Sequence, residues 1–107
     1  MTVDRLPLMF AYTEPDRGCD DAFNRWYDGV HIPQVLATPG LCAVQRFRFE
    51  AHPEMSRARY RYLAIYELDT NDIPAVQAAL RDRAPTLTRF DGIHKPPFVQ
   101  FYRPIAG

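Results

Sequence analysis

Apolar positions along the chain switch between strand-like and helical spacing, and the switches divide it into short elements. Residues 6–12 are almost continuously apolar and predict a first strand. Glu14, Pro15, Asp16 and Gly18 mark a turn. Asp20 and Asp21 open a helix, where free backbone N–H groups and the positive helix end favour carboxylates. Phe23, Trp26, Tyr27 and Val30 recur at helical spacing, and the helix runs to about Ala37, because Pro39-Gly40 stops it. Residues 41–50 alternate as a second strand, with Leu41, Ala43, Gln45, Phe47 and Phe49 on one face and Cys42, Val44, Arg46 and Arg48 on the other. Residues 51–57 connect it to a third strand over 58–68, where Tyr60, Tyr62, Ala64, Tyr66 and Leu68 face one way and Leu63 and Ile65 the other. Thr70-Asn71-Asp72 supplies caps for a second helix with the stripe Ile73, Val76, Leu80, Ala84 and Leu87, which Pro85 breaks into two pieces. Asp91-Gly92 turns the chain into a last strand over 98–102.

The order βαββαβ predicts a single α+β domain over 1–107, a ferredoxin-like sandwich with helices on one face of a four-stranded antiparallel sheet. The first and last strands are apolar on both faces, yet two helices cover one face only. The other face exceeds the roughly 300–600 Å² of apolar patch that monomers carry. Either a second copy packs there, sheet to sheet, or that face is a binding platform.

Composition narrows the function. The chain has 13 basic and 13 acidic residues, so its net charge is zero, which argues against a protein that works by neutralising phosphates. Aromatics make up 13% of the residues, six of them tyrosines whose hydroxyls need partners when buried, as in a pocket or an interface. Cys19 and Cys42 have no metal or redox spacing, and the three histidines no spacing that grips a metal from one helix or turn. No cofactor motif, phosphate loop or nucleophile elbow is present. No run is long enough for a signal peptide or membrane span, and a reduced, cytoplasmic protein is expected.

The candidate chemistry lies in the first helix. Pro33 cannot donate to the carbonyl of Gly29, so a kink is expected around residues 30–32, and His31 sits in it. An imidazole there can take and return a proton near neutrality, or it can simply satisfy the freed carbonyl as a core histidine. Trp26 and Tyr27 are adjacent and diverge by about 100°, so one packs inward and the other is free to stack on a flat ligand. Tyr12, Tyr62 and Tyr66 could donate to a carbonyl or developing oxyanion, or could form a tyrosine-rich dimer seam. Arg46 could anchor an enolate or carboxylate, or be an exposed arginine or an interface salt bridge. His52 and His94 read as solvent histidines, and Glu14, Asp28 and Glu67 as solvated or capping carboxylates.

The stretch Phe23-Asn24-Arg25-Trp26-Tyr27-Asp28-Gly29-Val30-His31-Ile32-Pro33, followed by Leu36 and Pro39-Gly40-Leu41, resembles the EthD-like proteins of the dimeric α+β barrel superfamily. That resemblance implies a homodimer paired through its sheet faces and a pocket between each sheet and its own helices. It implies a small, cofactor-free enzyme acting on a hydrophobic carbonyl- or phenol-bearing molecule. His31 would move the proton in a cyclisation, isomerisation, dehydration or decarboxylation. Trp26, Tyr27, Tyr12, Arg46, Tyr62 and Tyr66 would bind the substrate, with a tyrosine or Arg46 steadying the enolate. A cofactor-free monooxygenase and a non-catalytic ligand-binding dimer are its variants.

A different class shares the element order. RNA-recognition domains carry a basic-aromatic third strand, and Arg57, Arg59, Tyr60, Arg61 and Tyr62 interleave in that way, with Phe10 in strand one. The signature's glycine is missing, and the aromatic helix has no role in such a domain. No nucleic-acid partner is therefore expected.

Overall fold

The structure is a computed structural model that describes residues 5–105. Strands β1 (Leu8–Thr13), β2 (Leu41–Arg48), β3 (Tyr62–Leu68) and β4 (Phe98–Tyr102) form one antiparallel sheet in the order β2-β3-β1-β4. Helices α1 (Asp20–Trp26), α2 (Ile32–Leu36) and α3 (Ile73–Arg83) lie on one side of it. The expected α+β ferredoxin-like architecture is present, and its principal extents of 47 × 39 × 19 Å are those of a thin slab with one face bare. Among the described residues no helix is long and apolar enough to cross a membrane.

Register puts Met9, Ala11 and Thr13 of β1 opposite Tyr66, Ala64 and Tyr62 of β3, so these side chains share the helix-facing side. All six are buried. Phe23, Tyr27 and Val35 from the first helical segment and Val76 from α3 close the core over them. Phe10, Tyr12, Leu63, Ile65, Phe47, Phe98 and Tyr102 occupy the opposite side, where Phe47 and Phe98 are each 44% exposed and Tyr102 49%.

Several boundaries move, each for a local reason. β1 starts at Leu8 rather than residue 6, since Pro7 has no N–H for the ladder and offers only its carbonyl, to Leu68 N. β3 starts at Tyr62 rather than residue 58, because the Arg61 N–H is taken by the Glu14 carboxylate, 2.7 Å away. β2 stops at Arg48, two residues early. It also carries a register shift between Leu41 and Ala43, so Leu41 lies opposite Leu68 and shares a face with Val44, Arg46 and Arg48 rather than with Ala43 and Gln45. Cys42, the extra residue, is exposed. Asp72 caps α3 by accepting from Ala75 N at 3.1 Å, and the helix ends in a 3₁₀ turn over Ala84–Thr86, where Pro85 was expected to break it.

The kink takes a definite form. Between α1 and α2 the backbone widens into a π turn over Tyr27–His31, with the Ile32 N–H donating to the Tyr27 carbonyl, five residues back. Pro33 has no N–H to extend an α-helical ladder here, which accounts for the change of pattern.

Candidate active site

In an α-helix, residues five apart lie about 140° apart around the axis, at about 100° per residue. The π turn cancels that offset. Trp26 and His31 stack with ring centroids 4.7 Å apart at 28°, and Tyr27 stands 4.8 Å from the same imidazole. The widening thus brings both neighbouring aromatics onto one histidine, where a regular helix would have turned one of them away.

These three side chains form one wall of a cavity of about 670 Å³ between the first helical segment, the sheet and the residues that follow α3. Met9, Ala11 and Tyr66 supply its floor; Leu80, Leu87, Phe90 and Ile93 enclose the far side. Phe90 packs on Trp26 at 5.5 Å and on Phe23 at 5.8 Å. Leu87, expected in the stripe of the second helix, lies beyond its 3₁₀ end in extended backbone, and the chain from there to Pro97 is a wall of the pocket. Its only sequence signal is the three-residue spacing of Leu87, Phe90 and Ile93. Gln34 clasps it through Thr88, donating to Oγ1 at 2.9 Å and accepting from the backbone N–H at 2.8 Å.

Burial, with the Arg46 cation as second cause, pulls the His31 imidazole down from its ordinary value to about 4. The ring is therefore neutral at pH 7, with one nitrogen able to accept a proton and the other to donate one. Its Nδ1 is buried with no hydrogen-bond partner among the described residues, as is Trp26 Nε1. No carbonyl among the described residues accepts from that imidazole nitrogen. Tyr27 and Tyr66 share a hydroxyl contact of 3.4 Å, and burial raises the pKa of both phenols, so both stay protonated.

The other predicted residues separate. Arg46 is neither exposed nor in the cavity wall: its guanidinium lies 4.2 Å over the Tyr27 ring and 5.5 Å from those of Phe23 and Tyr62. Its Nη1 donates to Asp28 at 3.2 Å, so Asp28 is an ion-pair partner rather than a merely solvated carboxylate. Tyr62 faces the helices but donates its hydroxyl to Asp20 at 2.7 Å, away from the cavity. Tyr12 lies on the bare face against Tyr60 and Phe98 and cannot reach His31. The reason is parity: along β1, Ala11 and Thr13 point to the helices, so Tyr12 points away. Glu14, expected to be solvated, pairs with Arg61 at 2.6 Å; Arg61 also reaches Asp20 at 2.5 Å and the Pro15 carbonyl at 2.7 Å. Burial opposes ionisation of Asp20, and the bonds from Arg61 and Tyr62 overcome it and hold its carboxyl below the usual range. That network ties β3 to the start of α1. His94 is exposed and lies 3.4 Å from Asp16. Among the described residues no three His, Cys, Asp or Glu side chains are grouped to hold a metal ion.

In fold the chain is similar to solved structures that include EthD family proteins and proteins named as monooxygenases. Its structural neighbours include an ethyl tert-butyl ether D (EthD) family protein from Bacillus halodurans C-125, with 17% identity and a TM-score of 0.57 over 92% of this chain and 97% of that one. A candidate monooxygenase from Shewanella loihica PV-4 aligns at 12% identity and a TM-score of 0.61 over 99% of this chain and 100% of its own. MhuD, in a variant with two manganese protoporphyrin IX molecules bound per active site, aligns at 13% identity and a TM-score of 0.67 over 94% of this chain and 96% of its own. No family model matches the sequence, and no curated protein matches it. At such identities the likeness is one of fold, and the chemistry rests on the residues of this chain.

Proposed function

We propose that this protein is a small enzyme that transfers a proton at His31 to or from a hydrophobic, carbonyl- or phenol-bearing molecule held in the cavity. The observation that carries the reading is a neutral imidazole with an unpartnered Nδ1 in an apolar pocket, held between two aromatic rings. Apolar walls select a largely apolar ligand, and the flat Trp26, Phe90 and Tyr27 surfaces favour a planar one. A neutral base can remove an acidic C–H or O–H proton; the imidazolium it becomes is stabilised by the anion it has made, which offsets the burial that disfavours it. Cyclisation, isomerisation, dehydration and decarboxylation share that step, and the reading needs only the chain's own residues. The working unit is a homodimer formed through the bare sheet face, whose exposed aromatics a second copy would cover.

A second reading, cofactor-free oxygenation, is favoured by the same apolar enclosure. An enolate or phenolate kept from water there can react with oxygen directly, and the Shewanella loihica neighbour is named a monooxygenase. A binding protein without catalysis is the remaining alternative.

Trp26 is the only tryptophan and stands in the cavity wall, so its fluorescence tests the pocket. Titration with aromatic ketones, lactones and polyketide-like phenols should give saturable quenching that weakens in His31→Ala. Quenching by none of them, or salt-sensitive binding of single-stranded RNA instead, would move the working surface to the bare sheet face.

A further inference from the structure

We infer that the hydroxyls of Tyr27 and Tyr66 form a two-donor seat for a ligand oxygen that carries or develops negative charge, with Arg46 supporting the seat from behind the Tyr27 ring. The inference deepens the proposed proton transfer and rests on that reading, because it names where the charge left by the departing proton would go.

The geometry has three parts. First, the oxygens stand 3.4 Å apart, wider than the 2.7–2.8 Å usual for paired hydroxyls, so the pair is slack enough for a third oxygen to draw both. Second, the protons do not balance. Two hydroxyls bring two protons, their shared contact uses one, and neither has another partner among the described residues. One O–H donor is thus left over on a buried pair in a cavity wall, where an unused donor is costly and a ligand acceptor removes the cost. Third, the residue behind the pair is a cation. The Arg46 guanidinium lies 4.2 Å over the Tyr27 ring, and its Nε and Nη2 are buried with no hydrogen-bond partner among the described residues. Among the described residues only Asp28, exposed to solvent, offsets its charge by ion pairing.

Arg46 does not line the cavity, so it is a positioning residue: it holds the Tyr27 ring and makes the local potential positive where an oxyanion would sit. Both phenols stay protonated in their buried setting and remain donors at neutral pH. The ligand class that fits combines a planar apolar body with one oxygen that passes from carbonyl to enolate, or from phenol to phenolate.

The test uses 4-nitrophenol, whose phenolate is read by its own absorbance. With the intact protein, bound 4-nitrophenol should remain ionised at pH values where the free phenol is protonated. Tyr66→Phe and Tyr27→Phe keep the rings and remove one hydroxyl each; either should reduce the preference for phenolate over phenol about tenfold. Arg46→Met should reduce it as well, and Arg46→Lys should restore part of it, an electrostatic signature that loss of packing would not give. Equal binding of both forms, an unchanged preference in both Tyr→Phe variants, or no saturable binding of the probe would overturn the seat. If the ketones and lactones still quench Trp26 in a His31-dependent way, the proposed proton transfer stands without it.

Discussion

The imidazole of His31 carries a cost that can be read without knowing the substrate. In the unfolded chain it takes up a proton at its ordinary 6.5, in the folded protein only at about 4. Between those values the unfolded chain binds more protons, so folding weakens as pH falls through the window, and the stability is fully present above it. At about 1.4 kcal/mol per unit, the loss is on the order of 2–3 kcal/mol once the ring's residual solvent contact is discounted. Asp20 does not confuse the measurement. Its depressed pKa means its contribution is lost only below the ordinary 3.8. Urea midpoints at pH 7 and pH 4.5 should therefore separate for the wild type more than for His31→Gln. Equal separations would mean that the ring titrates normally. In the core beside it, Phe23 is fully buried against Trp26, Tyr27, Tyr62 and Phe90. Phe23→Ala should cost about 3–5 kcal/mol by chemical denaturation and abolish the Trp26 response to ligands.

At the scale of elements, what the chain discloses depends on how local the cause is. The sequence of strands and helices, the break at Pro85 and the exact limits of β4 follow from periodicity and from proline, and the structure agrees with them. The kink beside Pro33 was legible too. That it is a π turn, and so stacks Trp26 on His31, was not, because one proline permits several ways of rerouting the carbonyls. Leu41 changed faces because a bulge shifts parity without leaving a mark in the alternation. Tyr12 and Tyr62 looked as suited to a pocket as Tyr66; sheet parity excludes the first, and the distant Asp20 engages the second. Two substitutions test the elements. Pro33→Ala returns an N–H to the helix, so the π turn should regularise, leaving stability equal or higher while Trp26 quenching by ligands falls. Gly40 has φ +97, and a Cβ there would meet Val76 Cγ2 at 2.6 Å. Gly40→Ala should therefore destabilise by about 1–3 kcal/mol in urea unfolding.

At the scale of the molecule, a 19 Å slab has one covered face and one bare one. The bare face carries Phe10, Tyr12, Leu63 and Ile65 in its centre, and only another surface of similar shape removes them from water. Under the proposed reading, sedimentation should give a dimer, and Ile65→Glu, which places a charge in the middle of the seam, should give a folded monomer. A wild-type monomer at micromolar concentration would assign that face to something other than a second copy. The cavity lies on the opposite side, so the two surfaces can be tested separately. A dimer-breaking change that left Trp26 quenching intact would locate the whole site within one chain.

The proton transfer itself is the central claim, and it can be measured before any product is known. Ketones and phenol-bearing ketones that quench Trp26 should be incubated with the protein in D₂O and followed by proton NMR at the carbon next to the carbonyl. That hydrogen should exchange for deuterium above the buffer rate, and the rate should fall by at least about a hundredfold in His31→Ala, the scale of a lost general base. Ligands that bind saturably and yet exchange no faster than in buffer, or exchange equally well in His31→Ala, would contradict it.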